Sequence, residues 1–322
     1  PDRFQLESDQ AGKFNVQQTK GSQTPPSTFT KYYGVESLSA YSTGASNYTL
    51  VSHHIEGQNI SDLKFGTAEA KTITLSFWVR SNVSGTNNVY VGSLRNATYD
   101  RSFVFTYTIN LPNTWEYKTI TIPGDTSGTW ATDNTAGIRI SWDLGSGSNY
   151  QTSTTNAWLA TNAFATASST KMCATSGATL FLTGVQFEIG TAATPFEHRP
   201  IGMELSLCQR YAHFIRPQAA YGAIGVGRAW KSSGSQHGQG AAHVYLPVPM
   251  RGAIAIHYSD LTHFDLAGAG SGVSSLHNDG STLQTVKVGW SRSSNVTSNV
   301  YYQLEFEDQN WQNAYLGFTS EL

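Results

Sequence analysis

Hydrophobic and polar residues alternate along most of this chain. In Thr72–Arg80, Ile73, Leu75, Phe77 and Val79 share one parity, while Thr72, Thr74, Ser76, Trp78 and Arg80 share the other. A period of two reads as a strand with one buried face. The same alternation runs through Lys13–Thr19, Tyr48–Glu56, Asn88–Leu94, Arg101–Asn110, Glu116–Ile122, Gly137–Leu144 and Ala178–Ile189. Turn signals such as Pro123-Gly124-Asp125 and Gly145–Asn149 separate these stretches. Short strands at this spacing predict a β-sandwich or jelly roll rather than βα units. A short helix is expected near Ile60–Phe65.

The pattern changes near Thr194–Tyr211. Met203, Leu207, Tyr211 and Phe214 fall at helical spacing, and Pro217 ends the run. Gly202–Phe214 is therefore expected as a linking helix. A second set of alternating stretches follows: Tyr221–Trp230, Ala241–Leu246, Gly252–Tyr258, Thr262–Leu266, Thr282–Trp290, Val300–Glu307 and Asn313–Thr319. The expected architecture is all-β: residues 1–199 as a jelly-roll β-sandwich, then 200–322 as the linking helix plus a second, smaller β-sandwich domain.

Composition narrows the function. The 322 residues carry a formal net charge of −2, and only 13% are charged, against about 25% in typical domains. There is no basic excess to neutralise phosphates, which argues against a nucleic-acid partner. No apolar run is long enough for a membrane-spanning helix, so membrane insertion is not expected. Cys173 and Cys208 make no disulfide framework and read as free thiols. The chain begins at Pro1, and a preceding segment is expected.

Catalytic motifs are missing: there is no Gly-x-Ser-x-Gly elbow, His-Glu-x-x-His or phosphate-binding Gly loop. Gly222–Gly227 is Gly-rich but lies in a strand context. His53 and His54 are adjacent, so on a strand they point to opposite faces and cannot chelate together. Glu305 and Glu307 share a strand face, which more simply reads as a solvated strand end than as a glycosidase pair. No cofactor is expected. A structural Ca²⁺ held by separated loops would leave no mark in the sequence.

The positive signal is aromatic residues at polar positions. Trp78 lies on the polar parity of its strand beside Arg80, and Tyr150 and Trp158 lie in a polar loop region. Trp78, Arg80, Tyr150 and Trp158 are the candidates for a ligand face or a subunit interface, with misjudged core packing as the competing reading. Trp115 and Trp142 are expected in the core, Trp142 sharing parity with Ile138 and Ile140.

One segment carries a family likeness. It runs Leu182-Thr183-Gly184-Val185-Gln186-Phe187-Glu188-Ile189-Gly190, Ala193-Thr194-Pro195-Phe196-Glu197, then Arg199, Glu204-Leu205, Cys208 and Arg210-Tyr211. This resembles a junction of bacteriophage tail-fibre and related virion proteins. Asp2-Arg3-Phe4, Thr74–Val79 and Leu246–Arg251 also resemble parts of that family. The resemblance implies a jelly roll like those of carbohydrate-binding modules, followed by a C-terminal β domain. It implies a virion protein and no known ligand. The leading expectation is a non-enzymatic phage tail fibre or receptor-binding protein attaching to a host-surface glycan. A capsid decoration, head-fibre or tail-assembly protein is the structural alternative, and a polysaccharide depolymerase a further one. By the same analogy a homotrimer is expected in the virion, joined to other virion proteins through a preceding N-terminal segment.

Overall fold

A computed structural model describes residues 4–84, 88–231, 238–267, 272–292, 300–307 and 311–320. Asp2 and Arg3 lie outside the described residues. The chain divides into two compact units, residues 1–198 and 199–321.

The first unit contains β1 (Phe4–Ser8), β2 (Phe14–Gln18), β3 (Tyr33–Ser37), β4 (Thr49–Glu56), β5 (Ile73–Ser81), β6 (Val89–Arg95), β7 (Ser102–Thr108), β8 (Glu116–Ile122), β9 (Ala136–Asp143), β10 (Trp158–Leu159) and β11 (Thr179–Ile189). They form a six-stranded sheet, β1-β4-β9-β6-β7-β10, and a five-stranded sheet, β2-β3-β11-β5-β8. All named strand pairs are antiparallel, which with the non-sequential order gives the jelly-roll sandwich.

Binary patterning sets the facing surfaces. Ile73, Leu75, Phe77 and Val79 of β5 are each 0% exposed. Across the sandwich they join Leu94, Phe103, Phe105, Ile138, Ile140 and Trp142 in one core. Phe77 meets Trp142 edge to face at 5.6 Å, a preferred geometry for ring quadrupoles. Residues 57–59 and 61–63 form two 3₁₀ turns where a short helix was expected.

A β-bulge interrupts β11. Thr183 pairs with Trp78 and Gln186 with Ser76, so one extra residue is accommodated between them. Gly184 sits in that bulge with φ +56°, and the Phe29 ring lies where a Cβ would be, 2.4 Å from that position. A side chain here would strain the backbone and force the Phe29 ring to shift. After the bulge, Val185 and Phe187 pack on the core while Gln186 and Glu188 face outward.

In the second unit, helix α1 covers Ile201–Gln209 and ends before the expected boundary at Phe214. Ala212–Ile215 instead form β12, which pairs with Leu316–Thr319. Cross-strand packing overrides the helical spacing here: the Phe214 ring occupies the space opened by its partner Gly317, whose Cβ would come within 2.4 Å of it.

The remaining strands are β13 (Ala223–Lys231), β14 (Gly238–Tyr245), β15 (Ala255–Tyr258), β16 (Phe264–Leu266), β17 (Ser275–Ser281), β18 (Thr285–Arg292), β19 (Tyr301–Phe306) and β20 (Leu316–Thr319). A three-stranded sheet, β12-β20-β15, and a six-stranded sheet, β16-β19-β13-β14-β18-β17, share one core around Phe264, Trp290, Leu304 and Phe318. Gly222–Gly227 lies at the start of β13, a strand rather than a phosphate loop. Glu305 is 7% exposed, so it is buried rather than a solvated strand end.

Trp142 is 0% exposed at the centre of the first core. Trp142→Ala should destabilise the first unit by about 3–5 kcal/mol in denaturant unfolding, the usual cost of an aromatic deletion from a core. A loss below about 1 kcal/mol would contradict its central place.

Candidate functional site

The outward face of the five-stranded sheet is crossed by two segments. The first, residues 19–32, links β2 to β3. Arg80 holds it through Nη2, which donates to Gln23 Oε1 at 3.0 Å, while its Nε donates to Asn113 O at 2.8 Å in the loop before β8 and its guanidinium lies 5.3 Å from the Phe181 ring centre on β11. Trp115 donates from its indole to Thr24 O at 2.9 Å, and Thr183 donates to Lys31 O at 2.8 Å. Trp115 is thus half-buried under this segment against Tyr32, not in the sandwich core as expected from sequence.

The second segment, residues 190–198, turns back over β11. Glu188 Oε1 accepts from the Thr194 backbone N–H at 2.9 Å, and Oε2 accepts from the Thr194 hydroxyl at 2.6 Å. Gln186 Oε1 accepts from the Glu197 N–H at 2.9 Å. Burial pushes the Glu188 carboxyl up, but these hydrogen bonds outweigh it and hold it below the usual carboxylate range. The residues that carry the family resemblance therefore build a hydrogen-bonded strap.

Between the two segments lies a cleft of about 480 Å³. Its floor is Ser76, Trp78 and Tyr117, and its walls include Thr28, Phe29, Thr194, Phe196 and His198. Trp78 and Tyr117 are register partners on β5 and β8, with ring centres 5.3 Å apart. Tyr117 is 44% exposed and Phe196 37%. Phe29 packs edge-on against Phe196 at 4.9 Å, and His198 lies 5.0 Å from Phe196. The arrangement offers aromatic faces beside hydroxyl and imidazole groups, which suits a ring with one apolar face and a polar rim.

The four sequence candidates separate. Trp78 lines the cleft, while Arg80, on the same face of β5, anchors the adjacent segment. Tyr150 lies on the other side of the sandwich, stacked on Phe164 at 4.6 Å and edge-on to Tyr48. Trp158 packs against the core among Phe65, Phe103 and Trp130, and its indole donates to Pro123 O at 2.7 Å. Tyr117, Phe29, Phe196 and His198 were not singled out from the sequence. Tyr117 could have been found from its parity with Thr119 and Thr121, given the pairing of β5 with β8.

Among the described residues, no group of three or more His, Cys, Asp or Glu could hold a metal ion. No described helix is long and apolar enough to cross a membrane. His53 stacks against Phe4, and His54 faces the opposite side, bonded to Glu7. Neither Cys173 nor Cys208 forms a disulfide.

Asp143 fixes the start of the segment that carries Tyr150. It is 2% exposed and accepts from the Ser146 hydroxyl at 2.6 Å, the Gly145 N–H at 3.1 Å and the Ser169 hydroxyl at 3.1 Å. Burial pushes its carboxyl up to about 6 despite these bonds.

No family model matches the chain, and no curated protein matches it. Among solved structures, the enzymatically active domain of bacteriophage CBA120 tailspike protein 4 is similar at 10% identity and TM-score 0.32, over 58% of this chain. The matched region spans 19% of that tailspike chain. A CBM4 structure is similar at 14% identity and TM-score 0.32, over 59% of this chain and 88% of its own. TmCBM61 in complex with β-1,4-galactotriose is similar at 10% identity and TM-score 0.28, over 59% and 88%. These TM-scores lie below 0.5, so the sandwich rests on its own strand order and register.

The Asp143 carboxyl yields a signed pH prediction. Its folded pKa lies above the ordinary value of 3.8, so the folded state keeps the proton longer than the unfolded state. Its stabilising contribution is full below about pH 4 and is lost as pH rises towards about 6, a change of about 3 kcal/mol. Asp143→Asn should remove that fall from the unfolding-versus-pH profile. A variant profile with the same fall would assign it to another group.

Proposed function

We propose that this chain is a non-enzymatic phage virion protein, a tail fibre or receptor-binding protein that attaches to a host-surface glycan. The observation that carries this reading is the cleft on the five-stranded sheet, where Trp78 and Tyr117 present paired rings beside Ser76, Thr194 and His198. Sugar rings carry C–H faces that stack on aromatics and hydroxyls that bond to such neighbours. Both rings stand on paired strands, so little freedom is lost on binding.

The likeness of the Leu182–Tyr211 segment to tail-fibre junctions supports the virion setting. Helix α1 supports assembly into a homo-oligomer, a trimer by analogy with phage fibres. Ile201, Met203 and Leu205 are exposed at 82%, 57% and 54%, and none of its residues is buried. A capsid or tail-assembly role is the second reading, since the same apolar helix would suit a contact between virion subunits.

Fluorescently labelled protein should bind host cells saturably and block phage adsorption. Trp78→Ala and Tyr117→Ala should each weaken that binding about fivefold or more, equivalent to about 1 kcal/mol per lost stacking contact, while unfolding stays close to the parent. Trp158→Ala should instead lower stability, because its ring packs against the core. Parent-strength binding by both cleft variants would refute the cleft. No binding by folded protein, with antibody labelling over the capsid of intact virions, would favour the structural role.

A further inference from the structure

The outward face of the six-stranded sheet holds a second concentration of chemistry, apart from the cleft. Arg139 of β9 and Arg95 of β6 are register partners. Like charges directly opposite each other across strands are destabilising, so a fold that keeps the pair needs a compensating use for it. Arg95 is 3% exposed. Its Nη1 donates to Asn162 Oδ1 and its Nη2 to Ser141 Oγ, both at 3.2 Å. The Nε of each arginine is buried without an acceptor, and so is the hydroxyl of Ser93, two residues before Arg95 on β6.

One aromatic ring caps both guanidinium groups. The Tyr99 ring centre lies 5.1 Å from Arg95 and 4.8 Å from Arg139. Tyr99 adopts φ +59°, a left-handed conformation that is strained for a bulky residue and is concentrated at functional positions.

Charge does not balance within this group. Glu7 is the carboxylate bonded into it, accepting from His54 at 3.1 Å and from the Ser52 hydroxyl. Arg139 Nη1 lies 3.2 Å from His54 Nε2. Burial pushes the Glu7 carboxyl up, but hydrogen bonds from His54 and Ser52 and the charges of His54 and Arg95 outweigh it and hold it at about 2. Other carboxylates near this group are bonded elsewhere: Asp143 to Ser146 and Ser169, Asp100 to Asn96 and Thr98, and the buried Glu56, two residues after His54 on β4, to Gln58. Of the two guanidinium groups, Arg95 feels the charge of Glu7, while Arg139 lies against His54 and Tyr99.

We propose that this face binds the anionic group, carboxylate or sulfate, of an acidic sugar. Arg139, partly buried where Arg95 is fully so, is the direct partner. Its planar fork matches such groups in bidentate geometry. Arg95 lies behind it and deepens the positive field, and Tyr99 gives the sugar ring a stacking surface. The site lies on the opposite sheet from the Trp78 cleft, so it stands or falls separately from it.

The test titrates the full chain with oligogalacturonate, a hyaluronan fragment and a chondroitin sulfate fragment. Each is paired with its carboxyl-reduced or desulfated neutral counterpart. At least one acidic oligosaccharide should bind tenfold or more tightly than its neutral counterpart, and added salt should weaken it. Arg139→Gln should abolish that preference, and Trp78→Ala should leave it intact. Arg139→Gln should also unfold at the same or a higher temperature than the parent, since it relieves the like-charge pair. Equal binding of acidic and neutral forms, binding of none of the panel, or an unchanged preference in Arg139→Gln would overturn the proposal. A lower melting temperature in Arg139→Gln with unchanged binding would make the pair structural. Inorganic sulfate binding as tightly as the oligosaccharides would overturn the assignment to a sugar.

Discussion

Burial of one stripe of side chains on β5 governs the first unit. Ile73, Leu75, Phe77 and Val79 are removed from water against the six-stranded sheet. Each contributes apolar area at about 25 cal/mol per Å². Because side chains alternate with a period of two, that burial fixes Thr74, Ser76, Trp78 and Arg80 on the opposite face. A slip of one residue would place Trp78 and Arg80 in the core and strand the aliphatic stripe in solvent. The outward chemistry of the sheet is therefore a consequence of its inward packing.

That outward face is then shaped by polar residues acting at short range. Arg80 and Thr183 fix the 19–32 segment, while Gln186 and Glu188 fix the strap after β11. Trp78 and Tyr117 line the gap left between these segments. The bulge at Gly184 lets Phe29 lie close on the sheet and form one wall. The residues that look most like scaffold in the sequence are thus the ones that hold the aromatic walls in place.

Alternation made the all-β class and most strands of both units legible, including the inward Trp142 and the outward Trp78. Its limits are equally physical. β1 and β3 do not alternate in burial, β3 being buried at four of its five positions, so a period of two does not mark them. Residues 212–215 lie within a helical spacing, yet the pairing partner that makes them a strand lies about a hundred residues away at β20. The same distance problem hid most of the cleft. Trp78 is visible from its own strand, but Tyr117 joins it only through the β5–β8 register, and Phe196 only through the strap. Trp158 misled because a loop indole reads as exposed until the packing around it is known, and Trp115, read as core, is covered instead by the segment that crosses the sheet.

The most direct measurement is an indole N–H spectrum of the protein titrated with polysaccharide from host cells. The account predicts that the Trp78 resonance shifts progressively with added polysaccharide, while those of Trp142 and Trp158 stay in place. Polysaccharide that binds without moving Trp78, or that shifts the core indoles instead, would contradict the cleft as the attachment site.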